Sequence, residues 1–365
     1  GYSRKENVNN IETPHLHIGM QLIFDEKLKD SPNQIWVDMY NLCKLLLKNK
    51  CQVYQDADTK EYYRKYDFTE PSYFLQQENM KDSARKSEAA LLSSKAPEGS
   101  IPLPVVMYHG LLKDERYHNK FFISPKQFEK DLKYFKENNY TPIFIKDLVS
   151  YVDHGTPLPE KPILITFDDG YFNNYVYAYP LLREYNMKAV ISIIGELTDK
   201  STLIKDKNPA YAYLTWDEVK ELSSSGFIEI QNHSYDMHDN DDGRKGAMQK
   251  PGETMEEYRL AMEEDVGYFQ NQIYEKTGQK PTAFTYPLGS ISNGSTEVLK
   301  SLGFRASISC AEGINYITRD PDCLFRLKRV CRTPREASEA FFQVIAPAET
   351  KDDSDYVTIP VRTSP

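Results

Sequence analysis
The sequence predicts an α/β fold built on a parallel sheet, in a large domain that follows a smaller N-terminal α/β unit. Three observations carry this. Hydroxyl-headed helix starts recur after residue 101. Each helical stretch then reaches a Gly or Asn stop, and a short apolar run follows. These runs are almost continuously hydrophobic, as strands covered on both faces are. Helix, stop and buried strand in repetition is the mark of crossover units around parallel strands. Six to eight such strands suit a (β/α) barrel, and the pattern alone leaves an open sheet equally possible.

Taken in order, residues 1–75 read as the small α/β unit. His15–Phe24 (HLHIGMQLIF) is strand-like, Gln34–Leu47 carries apolar residues at helical spacing, and Cys51–Tyr54 can return as a strand. His15 and His17 would face one side of that first strand, but no third metal ligand is near in sequence. Residues 76–100 turn polar and end in Ala-Pro-Glu-Gly-Ser, a linker with one short helix around Ala84–Leu92.

Residues 101–345 form the main domain, and residues 346–365 a tail. Ser124-Pro125-Lys126-Gln127, Thr215-Trp216-Asp217-Glu218 and Thr254-Met255-Glu256-Glu257 each place a hydroxyl three residues before Gln or Glu. That spacing satisfies orphan N–H groups at a helix start. The stops and their strands are NNY before Thr141–Ile145, EYNM before Lys188–Gly195, SSSGF before Phe227–His233 and SLGF before Phe304–Ser309.

The 365 residues carry a net charge of −9, which gives no electrostatic footprint for wrapping nucleic acid. No stretch approaches a transmembrane helix in length. The start at Gly1-Tyr2-Ser3, without initiator Met or signal peptide, reads as trimmed, so an export signal or surface anchor could precede it. Five cysteines form no Cys-x-x-Cys pair, which argues against a thiolate zinc site. They read as buried free thiols with at most one or two disulfides. The 26 tyrosines suit stacking on sugars, though many secreted proteins share that richness.

Four segments place polar groups directly after an apolar run, where chemistry sits on barrels of this class. They are Met107-Tyr108-His109-Gly110, Thr166-Phe167-Asp168-Asp169-Gly170, His233-Ser234 with His238, and Tyr286-Pro287-Leu288-Gly289. Adjacent carboxylates at a buried strand end must be paired, protonated or metal-bound. Helix capping would explain one aspartate but hardly both. Histidines five apart diverge on a helix but can converge from a loop, and imidazoles with carboxylate suit a first-row divalent ion. The acidic run Asp239–Gly243 fails the calcium-loop pattern, because Arg244 and Lys250 fall where Gly and Glu are required. His118 and His154 lie in polar loop sequence and are expected to be exposed.

Together these motifs resemble the polysaccharide deacetylases, the NodB-homology family 4 carbohydrate esterases, most closely the branch acting on poly-β-1,6-N-acetylglucosamine. The resemblance spans about residues 101–335. It implies a distorted (β/α) barrel of NodB type and a single divalent ion, with zinc first, held by Asp169, His233 and His238. Asp168 would be the general base, and the Leu288 backbone N–H the oxyanion donor. An N-acetylated polysaccharide, poly-β-1,6-GlcNAc or peptidoglycan, would be the substrate, and a secreted or cell-surface location follows.

Three departures from the family pattern accompany this. The histidines are five apart rather than four. Thr285 replaces the usual Arg before the third motif, so Arg329 or Arg326 must steady Asp168, with Arg329 preferred. No histidine follows residue 238, so the late catalytic His is absent and His109 is assigned as general acid. A metal-dependent amidase on small amides and a non-catalytic glycan-binding relative are the alternatives.

Overall fold
The structure, a computed structural model, describes residues 96–114, 119–239, 243–334 and 336–345, with four short strands nearer the N-terminus. The chain divides into two compact units, Gly1–Ser87 and Glu88–Pro365. In the first unit, β1 (Gln21–Leu22) pairs antiparallel with β2 (Ile35–Trp36), and β3 (Gln52–Gln55) with β4 (Tyr62–Lys65). Ile35 and Trp36, expected to open a helix, instead form a strand. A β-branched and an aromatic residue fit a pleated pair better than a helix start. His15, His17, Cys51, His118, the rest of that helix, the linker helix around Ala84–Leu92 and the tail lie outside the described residues.

The second unit is built on a parallel sheet. Its strands are β6 (Val105–Tyr108), β10 (Pro162–Phe167), β11 (Ala189–Ile193), β12 (Ile228–Asn232), β13 (Ala283–Thr285), β14 (Ala306–Ile308) and β16 (Val330–Cys331). They run in the order β14-β13-β12-β11-β10-β6-β16, and β9 (Thr141–Pro142) pairs with the start of β10. Every pairing in this sheet is parallel; outside it, β5 (Ile101–Leu103) pairs antiparallel with β15 (Asn315–Ile317), and β7 (Gly110–Leu111) pairs parallel with β8 (Phe122–Ile123). The two edges meet through one irregular segment. Leu327 bridges Ile308, and the Arg332 N–H donates to the Met107 carbonyl at 2.9 Å. The sheet therefore curls into a distorted barrel, as the α/β pattern and the motifs together indicated.

β10, β11 and β12 are buried along their whole length. All four expected stops are left-handed: Asn139 at φ 61°, Asn186 at 53°, Gly226 at 79° and Gly303 at 86°. Thr215 and Thr254 form full capping boxes with Glu218 and Glu257. At Ser124 only half a box forms. Ser124 accepts from the Gln127 N–H, while the Gln127 side chain turns to Asp131 and Ser338. The apolar run at Thr141–Ile145 is shorter as a strand than expected, because Ile145 already begins the helix Ile145–His154. His154 is exposed, but at that helix end rather than in a loop. Cys310, Cys323 and Cys331 are free, and Cys310 is exposed rather than buried.

Candidate active site
Side-chain alternation carries polar groups to the barrel mouth. Ile163, Ile165 and Phe167 of β10 pack in the main core cluster, and Leu164 joins a different one. Thr166 and Asp168 share the Leu164 face by the two-residue period of a strand. In β12, Ile228 and Ile230 belong to the main cluster, which leaves Glu229, Gln231 and His233 on the other face.

Asp168 continues the ladder of β10, its N–H donating to the Tyr108 carbonyl at 3.0 Å. Arg329 Nη1 and Nη2 donate to its two carboxylate oxygens at 2.7 and 2.8 Å. Arg329 has no solvent exposure. Its Nε donates to the Ser309 carbonyl at 2.8 Å, and Nη1 also approaches Thr166 Oγ1 at 3.3 Å. A buried guanidinium is tolerable when its nitrogens are so occupied. Burial by itself raises the Asp168 carboxyl, but the Arg329 guanidinium outweighs it and holds the group below the usual carboxylate range. Arg326 turns elsewhere, with its Nη2 toward the Ser292 carbonyl at 3.4 Å.

The chain then breaks the strand alternation. Asp169 and Gly170 are both left-handed, at φ 71° and 73°. A Cβ at position 170 would lie 2.8 Å from Ile193 Cγ2, so glycine is required there. The turn brings Asp169 to β12. Asp169 Oδ1 lies 3.5 Å from His233 Nε2 and 3.3 Å from His238 Nε2. His233 is buried, and its Nδ1–H donates to the Thr285 carbonyl at 2.8 Å, which leaves the Nε2 lone pair facing Asp169. Asp169 Oδ1 is buried, with no hydrogen-bond partner among the described residues. Ligands about 2.0–2.1 Å from a tetrahedral ion stand roughly 3.3 Å apart. The two Asp169–His separations match that geometry, and the three ligand atoms lie within 4.8 Å of one another. One carboxylate and two imidazoles around an orphaned oxygen therefore fit a divalent ion.

His109 follows β6 and is part-buried against Phe121, with ring centroids 4.4 Å apart. Its Nδ1 is buried without a partner among the described residues. Burial pushes its imidazole below the ordinary value, and the carboxylates of Asp168 and Asp169 pull the other way. Leu288 sits in the tight turn Pro287–Gly289 with φ 56°, its side chain partly exposed. The next residue, Gly289, packs so closely on Cys310 that a Cβ there would be 2.7 Å from the Cys310 Cβ.

Residues 155–307 match the family described as polysaccharide deacetylase. Over that stretch, 153 of the 365 residues, the chain is similar to polysaccharide deacetylases. The matched stretch holds Asp168, Asp169, His233, His238 and Leu288, whereas His109 and Arg329 lie on either side of it. A Bacillus subtilis (strain 168) protein, YxkH, is 28% identical over 244 residues, 67% of this chain and 76% of that protein. The poly-beta-1,6-N-acetyl-D-glucosamine N-deacetylase of Escherichia coli (strain K12) is 24% identical over 69% of this chain, which spans only 41% of that enzyme. Among solved structures, the Streptococcus pyogenes deacetylase PplD, in complex with acetate, aligns with TM-score 0.56 and 20% identity. The alignment covers 68% of this chain and all of that one, and shows a shared fold.

Some site neighbours were not singled out from the sequence. Tyr171 stacks on Tyr213 at 4.8 Å, and burial, with the charge of Asp169, pushes its phenol far up. Cys310 meets Arg329 Nη2 through its sulfur at 3.7 Å. A second buried ion pair joins Asp131 to Arg332, with Tyr108 and Ser338 also donating to Asp131. Asp131 had a legible signal: it falls among Phe128, Leu132 and Phe135 on the apolar face of its helix.

Proposed function
We propose that this domain is a divalent-metal-dependent N-deacetylase of a GlcNAc-containing polysaccharide, with poly-β-1,6-N-acetylglucosamine the first candidate, acting outside the cell or at its surface. The observation that carries this reading is the orphaned Asp169 oxygen between two imidazole nitrogens, beside a buried, arginine-clamped carboxylate. The relatives support the substrate class, since one is named for that polymer.

Asp169, His233 and His238 would hold the ion, zinc being the first choice for a carboxylate and two imidazoles. When bound, it supplies Lewis acidity toward the acetyl carbonyl and acidifies the attacking water. The protein supplies the rest. Asp168 takes the proton from water as the new C–O bond forms. Arg329 holds that carboxylate ionised and aimed. His109 delivers a proton to the nitrogen as the C–N bond breaks, so acetate and a free amine leave. The Leu288 N–H, in its left-handed turn, donates to the developing oxyanion.

Acetate release from defined poly-β-1,6-GlcNAc oligomers, with chelation and zinc add-back, tests the proposal. Release that stops on chelation and returns with zinc is expected, and His233→Ala should lose both the ion and the activity. Turnover of small acetylated amides but not oligomers would point to the amidase alternative. Turnover unaffected by chelation would overturn the metal reading.

A further inference from the structure
Between the two imidazoles the chain runs Ser234-Tyr235-Asp236-Met237, and its backbone is unusually well held. Ser234 is left-handed at φ 70°. Three successive amides are taken up by side chains. The Ser234 N–H donates to Asn232 Oδ1, the Tyr235 N–H to Asp265 Oδ1 and the Asp236 N–H to Asp265 Oδ2, each at 2.8 Å. Asn232 Nδ2 in turn donates to the Val266 carbonyl at 3.0 Å.

Asp265 and Val266 belong to a π-helical turn, Glu263–Gly267, between the helices Met255–Met262 and Tyr268–Thr277. Such turns widen a helix locally and redirect its groups, often at functional sites. Here the turn presents a carboxylate and a carbonyl to one loop. From the opposite side, the Ser234 and Tyr235 carbonyls accept from the Gly195 and Glu196 N–H groups, at 3.1 and 2.9 Å.

We propose that Asp265 is a positioning residue for the metal-binding histidines: by holding the amides of Tyr235 and Asp236 it sets the separation at which His233 and His238 meet one ion. This rests on the metal reading above. A four-residue connection between two ligands has many conformations, and an ion that must order it loses affinity. Clamping the loop beforehand removes that cost, so the contribution appears in metal affinity rather than only in fold stability. Asparagine at 265 keeps the shape but offers one acceptor oxygen, and its amide group would face the second N–H.

The test uses the full chain. Zinc Kd is measured by competition with a chromogenic chelator for the parent, Asp265→Asn, Asp265→Glu and, as a control, Glu229→Gln. Thermal unfolding of the metal-free proteins is recorded alongside. Glu229 is also a buried carboxylate that accepts two amides, those of Ile145 and Lys146, but it sits at the start of β12, away from the loop. Asp265→Asn should weaken zinc binding by roughly 10-fold or more, the scale typical of groups that orient metal ligands. Asp265→Glu should fall in between, and Glu229→Gln should match the parent. Asp265 variants that unfold earlier yet bind zinc like the parent would overturn the positioning role. A parent that binds no zinc would instead sink the metal reading itself. Should Asp265→Asn not fold, Asp265→Glu decides by the same comparison.

Discussion

Arg329 grips Asp168 through both terminal nitrogens, and both side chains are closed off from solvent. Arginine's planar fork makes two parallel bonds that an ammonium cannot. Arg329→Lys should therefore retain the fold but leave Asp168 misaimed, lowering kcat by roughly 100-fold or more. Arg329→Met leaves a buried carboxylate alone and should cost about 3–5 kcal/mol in denaturant unfolding. A lysine variant at parental rate would show that the fork is not what aims the base.

His109 is not among the three candidate ligands, so its loss should separate chemistry from metal binding. His109→Ala is expected to keep zinc affinity and lose roughly 10²–10⁴-fold in kcat. Zinc competition and acetate release on the same preparation check both halves. Full rate in this variant would remove His109 as the acid and leave the rest of the proposal standing.

Glu229 makes stability depend on pH. Burial pushes its carboxyl up to about 7, although two backbone N–H groups pull it down. A carboxyl raised on folding binds its proton more tightly in the native state. Its contribution is thus complete below the unfolded value near 4.5 and is lost as pH rises through about 7. The melting temperature of the parent should fall across that window, and Glu229→Gln should flatten the fall. Identical pH profiles would contradict this.

Asp131 and Arg332 anchor the C-terminal helix Ser338–Ile345 rather than the chemistry. Both are fully buried, Ser338 Oγ donates to Asp131 at 2.6 Å, and the Arg332 guanidinium lies 4.7 Å from the Phe341 ring centre. Arg332→Ala should destabilise by about 3–5 kcal/mol by stranding Asp131. Zinc affinity measured below the melting transition should not change. A loss of zinc binding there would tie this network to the site.

The polar segments after β6, β10 and β12 were legible because each is compact in sequence. A strand's two-residue period also places Asp168 and His233 on inward faces. The stops at Asn139, Asn186, Gly226 and Gly303 were legible because only residues tolerant of positive φ end helices that way. Ile35–Trp36 was misread because two residues carry too little periodicity to tell strand from helix. The Gln127 side chain was misassigned because local spacing cannot reveal a competing acceptor on another element, here Asp131.

By itself, the order of residues determined the alternation of helices and buried strands, and which polar groups stand at strand ends. Those are short-range consequences of backbone sterics and side-chain periodicity. The sequence left Arg329 and Arg326 both open with Arg329 preferred, and the tertiary structure decided that Arg329 reaches Asp168. That choice depends on where the irregular segment after β14 crosses to β6 and closes the sheet. It also decided that Asp265, some thirty residues away in the chain, clamps the histidine loop. Such pairings join groups whose meeting is settled by packing, and no local pattern in the chain encodes it.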